Sequence, residues 1–170
     1  MMGAEARVYL PNRFTDGCGP NESVYKYFIE QEGISLIVTV DNGVAGNEAI
    51  AYAQEQGVDV IVTDHHSMPA QLPDAFAIVH PEHPDADYPF KYLAGCGVAF
   101  KLATALLETI PTEMLDLVAI GTIADMVSLT DEIVLWSRSA WKFSRLLSVS
   151  GFKNCSAFQM WTLQRFPKKR

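Results

Sequence analysis

A glycine, a run rich in β-branched residues and a closing aspartate occur twice: in Gly33-Ile-Ser-Leu-Ile-Val-Thr-Val-Asp41 and again in Gly57-Val-Asp-Val-Ile-Val-Thr-Asp64. Runs so short and so nearly continuous in apolar character suit strands buried on both faces of a parallel sheet. Between them, residues 45–56 place Ala49, Ile50 and Ala53 at helical spacing and meet a stop at Gly57, which predicts a helix. Strand, helix and strand with short connections form a crossover unit, so the strands must be parallel. Upstream, residues 7–10 read as the tail of a further strand, 11–21 as a Pro- and Gly-rich loop, and 22–31 as a helix capped near Asn21 or Ser23. Downstream, 75–79 predicts a short strand and 80–88 a Pro- and Asp-rich loop. Residues 98–110 are apolar almost all round, as in a buried helix, and 114–129 form a second helical segment that Gly121 should interrupt. The expected fold class is α/β with a doubly wound, mainly parallel sheet, whose ligands bind at the carboxyl ends of the strands.

Composition narrows the classes. Of 170 residues, 49% are apolar and 19% charged, which fits one packed domain. No apolar run approaches the ~20 residues of a membrane span, and residues 1–10 carry no secretory pattern, so a cytoplasmic protein is expected. Cys18, Cys96 and Cys155 are odd in number and lack C-x-x-C spacing, which points to free thiols rather than disulfides or structural zinc. Charge divides the chain. Residues 1–132 hold all 20 acidic residues and 5 basic ones, a net of −15, whereas 133–170 hold 8 basic residues, no acid and all three tryptophans, Trp136, Trp141 and Trp161. Such a tail is either a nucleic-acid arm, with Trp stacking on bases, or a segment unrelated to the rest, since it lacks a clear apolar period and caps.

Three acids and a histidine pair carry the chemistry. Asp41 and Asp64 both end predicted parallel strands, and Asp64 is followed at once by His65 and His66. Two strands thus deliver two carboxylates and two imidazoles to one rim. Asp41 could instead cap the next helix, and the histidine pair could be a surface accident. Adjacent histidines on an extended chain point to opposite sides, so one can bind a metal while the other faces a substrate phosphate. Asp125, in Gly121-Thr-Ile-Ala-Asp125-Met-Val-Ser-Leu129, is a lone carboxylate in an apolar segment, costly to bury unless paired or metal-bound. Its alternative is a cap or turn residue. Carboxylates with imidazole suit Mn²⁺, and Mg²⁺ also, better than zinc.

Val40-Asp41-Asn-Gly43, Thr63-Asp64-His65-His66 and Gly121-Thr-Ile-Ala-Asp125-Met-Val resemble the second, third and fourth motifs of the DHH phosphoesterase family. Tyr9-Leu-Pro11-Asn-Arg13, Gly17-Cys18-Gly19 and Gly95-Cys-Gly97-Val-Ala-Phe-Lys101-Leu-Ala resemble its single-stranded-DNA 5′→3′ exonucleases. The likeness covers about residues 5–132. It implies a dimanganese phosphodiesterase in which Asp41, His65 and Asp125 bind metal and Asp64 orients an imidazole or a metal-bound water. His66 then faces the scissile phosphate, and Arg13 lies near the DNA backbone. The implied cofactor is Mn²⁺, with Mg²⁺ as the other candidate, and the implied partner is single-stranded DNA.

The same resemblance exposes departures. The family's first motif, an Asp-x-Asp pair, is not found and would fall before residue 1; Cys18 stands where an aromatic residue is usual. A partial DHH phosphoesterase domain is therefore expected over 1–132, followed by a basic, Trp-containing tail over 133–170 of the kind a shifted reading frame produces. If the missing carboxylates are replaced from within this chain, Asp59, Asp74 and Asp16 are the first candidates. The alternatives in function are a catalytically silent remnant of such an enzyme and a nucleic-acid-binding module without hydrolysis. The −15 body opposes the last unless metals offset it.

Overall fold

The computed structural model describes residues 5–17, 19–134 and 136. Its elements in chain order are α1 (Glu22–Glu32), β1 (Leu36–Val40), α2 (Asn47–Glu55), β2 (Asp59–Thr63), β3 (Ala77–Val79), α3 (Gly95–Leu107) and α4 (Leu115–Ala124), the last entered through a 3₁₀ turn at Thr112–Met114. The strands form one parallel sheet in the order β1-β2-β3, with Leu36 opposite Asp59 and Ile61 opposite Ala77. Asn21 caps α1, its side chain accepting from the Ser23 N–H at 2.9 Å, and α2 buries Ala49, Ile50 and Ala53.

Alternation along the strands sorts the helices onto two faces. Val60, Val62, Ile37 and Ile78 pack with Tyr25 of α1 and with Ala49, Ile50 and Ala53 of α2. Val79, pointing the other way from Ile78, packs with Leu93 and with Val98 of α3. Helices on both faces of a parallel sheet are the doubly wound arrangement read from the sequence. Burial of β1 on both faces is not found, however. Leu36, Val38 and Val40, which share one face by alternation, are 49%, 45% and 53% exposed, while Ile37 on the other face packs against the core.

Residues 7–10 are not a strand. Val8 and Leu10 are almost fully exposed, and the segment is tied to α1 by Tyr9, whose ring meets Phe28 edge-on at 5.2 Å, rather than by backbone pairing. Helix α3 is buried at its start, at Gly95, Gly97, Val98 and Phe100, while Leu106 is exposed. Gly121 does not interrupt α4. A β-carbon there would lie 2.6 Å from Cys96 Sγ, so the glycine admits the close approach of α3 to α4 at this point. Helix α4 ends at Ala124, five residues earlier than its apolar content suggested, because Met126 takes a left-handed φ of 58°. Ile133, the first residue of the expected tail, is buried against Phe90, Leu93 and Val98, and Trp136 stands edge-on to Phe100 at 5.4 Å, so packing continues past residue 132. Cys96 is a free thiol. Cys18, Cys155, Trp141, Trp161 and the rest of residues 137–170 lie outside the described residues. Among the described residues no helix is long and apolar enough to cross a membrane.

Candidate metal centre

Asp41 follows the last residue of β1 and Asp64 the last residue of β2, so neighbouring strands carry both to one rim. Asp41 has φ 59°, a left-handed conformation that Asp tolerates better than most residues. Two threonine hydroxyls hold this turn: Thr39 Oγ1 donates to the Asn42 carbonyl and Thr63 Oγ1 to the Thr39 carbonyl, each at 2.6 Å. Helix α2 starts from Gly46 without a side-chain cap, so Asp41 does not serve it.

Asp64 is buried and organises the loop after β2. Its Oδ2 accepts from the Val44 N–H at 2.9 Å, and its Oδ1 accepts from the N–H of His65 at 2.7 Å and of His66 at 3.2 Å. The same Oδ1 lies 2.7 Å from His66 Nδ1. Burial alone would push this carboxyl up, but the hydrogen bonds outweigh it and hold the group below the ordinary carboxylate value. The bond to Asp64 in turn raises the His66 imidazole above its ordinary value, against partial burial and with help from the charges of Asp64, Asp41 and Asp125. Asp64 thus orients the imidazole of His66, not that of His65.

His65 lies at the meeting point. Its Nε2 is 3.0 Å from Asp41 Oδ1 and 3.4 Å from Asp125 Oδ2. This nitrogen is nevertheless buried without a hydrogen-bond partner, since neither carboxylate oxygen lies in line with the ring N–H direction. Asp125 caps the C-terminal end of α4, its own N–H donating to the Gly121 carbonyl at 3.0 Å. A carboxylate there meets the negative end of the helix dipole, so capping does not account for it. Two carboxylates converging on one orphaned imidazole nitrogen repel each other unless a cation stands among them, and the donor set fits a divalent ion with oxygen and nitrogen preferences.

Ligand atoms of Asp41, His65 and His66 all lie within 4.8 Å of one another. The structure therefore brings His66 into the same group, while Asp125 joins it through His65. Arg13 sits on an exposed turn, and its guanidinium has no polar partner among the described residues. Asp16 is engaged within that loop, accepting from the Tyr9 hydroxyl at 2.6 Å and from Thr15 Oγ1 at 2.8 Å. Asp59 begins β2 and lies at the opposite end of the sheet from Asp64, so neither Asp16 nor Asp59 supplies this centre.

Sequence reasoning missed Thr39, Thr63, His80 and the packing role of Gly95. A β-carbon at Gly95 would lie 2.4 Å from Cβ, Cγ and Oδ1 of Asp41, so the start of α3 is pressed against that carboxylate. The available signal for His80 was its place directly after a strand, the same place that Asp41 and Asp64 occupy.

Residues 1–122 match the model of the DHH family, N-terminal domain. The chain is 55% identical over 131 residues to the single-stranded-DNA-specific exonuclease RecJ of Bacillus subtilis, covering 77% of this chain and 16% of that protein. It is 42% identical over 144 residues to RecJ of Escherichia coli, covering 75% and 25%. Among solved structures it is similar to exonuclease RecJ bound to manganese, with a TM-score of 0.65 and 32% identity over 78% of this chain and 34% of that one. It is also similar to RecJ from Thermus thermophilus in complex with Mn²⁺, with a TM-score of 0.57 and 32% identity over 68% and 18%. The chain thus spans about a third or less of the length of these relatives.

Proposed function

The chain belongs to the DHH family, and from that premise we propose that it carries the metal-dependent site of a RecJ-like exonuclease, which hydrolyses phosphodiester bonds of single-stranded DNA in the 5′→3′ direction. The observation that carries this reading is His65 Nε2, buried without a hydrogen bond and flanked by carboxylate oxygens of Asp41 and Asp125. These three residues would hold a cation, Mn²⁺ by the donor set and the solved relatives, with Mg²⁺ as the substitute. Such a cation, when bound, polarises the phosphate and lowers the pKa of water in the site.

The chain's own groups supply the rest. Asp64 fixes His66 by its Nδ1 and leaves Nε2 to face a phosphate oxygen, and the raised imidazole favours the protonated, donating form. Arg13, exposed and free of acidic partners among the described residues, is suited to a backbone phosphate. With a net charge of −15 over residues 1–132, the surface itself does not attract DNA, so affinity depends on the metal and on such single cations. A role on DNA fits a cytoplasmic protein.

A second reading, a chain that binds a cation without hydrolysis, is favoured by one observation: the donors gather around a single ring nitrogen. That suffices for one cation, whereas two-metal hydrolysis needs two about 4 Å apart. Release of nucleotides from 5′-labelled single-stranded DNA, with Mn²⁺ or with chelator, distinguishes the readings. Hydrolysis that requires Mn²⁺, spares duplex and vanishes in His65→Ala supports the exonuclease. Hydrolysis that survives His65→Ala refutes the site assignment, and Mn²⁺ binding with no hydrolysis selects the second reading.

A further inference from the structure

We propose that His80 is a positioning residue for the metal centre, fixing the His65-His66 loop through the backbone of His66. The proposal rests on the reading that His65 and His66 belong to that centre. Parallel pairing of β2 and β3 runs one step past β2, where the Asp64 N–H donates to the Val79 carbonyl at 3.2 Å. The next residue, His80, is therefore delivered to the same rim, and only 5% of it is exposed. Its two ring nitrogens have partners of opposite kind. The Glu82 N–H donates to Nδ1 at 3.0 Å, so Nδ1 must be the unprotonated nitrogen. Nε2 then carries the hydrogen and donates to the His66 carbonyl at 2.8 Å.

The partners thus specify one neutral tautomer, and with it a closed arrangement around His66. The N–H of His66 and its Nδ1 are held by Asp64, and its carbonyl is held by His80. Asp64 alone leaves the peptide plane after His66 free to rotate. With His80 in place, the loop is fastened to the ends of both β2 and β3. Groups that orient metal ligands in this way commonly contribute a factor of 10 to 100 in affinity. The protein offers no other side-chain donor to the His66 carbonyl among the described residues.

The test compares His80→Phe, which fills the site without a donor, with His80→Gln, whose amide N–H₂ reaches about as far as imidazole Nε2. His65→Ala serves as the reference. Mn²⁺ affinity is measured by titration calorimetry on protein shown to be folded by its melting curve. Expected are a loss of about tenfold or more in His80→Phe and affinity within a few-fold of wild type in His80→Gln. Unchanged affinity in folded His80→Phe, with loss in His65→Ala, overturns the His80 proposal alone. Unchanged affinity in His65→Ala overturns the metal-site reading beneath it. Should His80→Phe not fold, long-range ¹H–¹⁵N spectra of the wild type decide. An Nε2–H tautomer of His80 at neutral pH supports the proposal, and an Nδ1–H tautomer refutes it.

Discussion

Replacing Gly95 by Ala should reverse the sign that helix propensity gives. In a helix, Ala is favoured over Gly by up to about 1 kcal/mol, and Gly95 opens α3. Yet the added β-carbon would stand 2.4 Å from Cβ, Cγ and Oδ1 of Asp41, where carbon contacts settle at about 3.5–4.0 Å. Either the start of α3 or the carboxylate must retreat by roughly 1 Å, and such overpacking costs about 1–3 kcal/mol. The Asp41 backbone is pinned at φ 59° by the threonine bonds, so Cγ and Oδ1 can escape by rotation about Cα–Cβ, while the overlap at Cβ has to be relieved by a shift of the start of α3. Turning away from Gly95 breaks the 3.0 Å approach of Oδ1 to His65 Nε2. The expected result is a net loss of about 1–2 kcal/mol in denaturant unfolding and Mn²⁺ binding weakened by about tenfold or more in calorimetry. In an Asp41→Ala background the overlaps with Cγ and Oδ1 are absent while that with Cβ remains, so only part of the stability cost should be recovered. A Gly95→Ala variant that is more stable than wild type and binds Mn²⁺ equally well would refute the close approach and the part assigned to Asp41.

Three other perturbations follow. Asp64→Asn removes a buried charge that accepts from three backbone N–H groups and faces an imidazole, and should cost on the order of 3 kcal/mol in denaturant unfolding. Because the folded carboxyl is held below its unfolded value, its contribution is present above about pH 4 and lost as pH falls through the folded value; an acid limb unchanged in Asp64→Asn contradicts this. His66 has the opposite sign: raised in the fold, it stabilises the metal-free chain below about pH 6.5 and that increment fades as pH rises through its folded value. Mn²⁺ uptake should strengthen over the same interval, since imidazole donors must lose their proton, and melting curves at several pH values with and without Mn²⁺ would show both trends or neither. Gly121→Ala should cost about 1–3 kcal/mol through its 2.6 Å overlap with Cys96 Sγ, and Cys96→Ala should recover most of it in a double-mutant cycle; strictly additive effects would contradict the contact.

The sheet was legible because its signals were local. Nearly continuous β-branched runs after glycines mark parallel strands without knowledge of the partner, although β1 is half-exposed on one face, and Ala49, Ile50 and Ala53 mark the buried side of α2 by spacing alone. Residues 7–10, Arg-Val-Tyr-Leu, are apolar at three positions but have no neighbouring strand among the described residues, and pairing is a property of the neighbour. Gly121 misled for a related reason: a glycine that breaks a helix and one that admits a second helix are identical until Cys96 is seen opposite. Asp41, Asp64, His65, His66 and Asp125 could be picked out because charge and imidazole in apolar strand and helix ends are costly without a task. Their division of labour was not legible. That Asp64 grips His66, and that His66 lies within 4.8 Å reach of Asp41 and His65, depends on loop geometry that no spacing encodes. His80 was hidden in a Pro- and Asp-rich stretch that composition marks only as a loop.

The measurement that bears most directly on the account is a Mn²⁺ titration of wild type and Asp125→Ala by calorimetry near neutral pH, after melting curves show both to be folded. Asp125 is the informative position, since it comes from the end of a separate helix and its Oδ2 lies 3.4 Å from His65 Nε2. The account predicts one Mn²⁺ site in the wild type and an affinity lower by about tenfold or more in Asp125→Ala. Equal affinity in the two proteins, or no Mn²⁺ binding by the wild type, would contradict it.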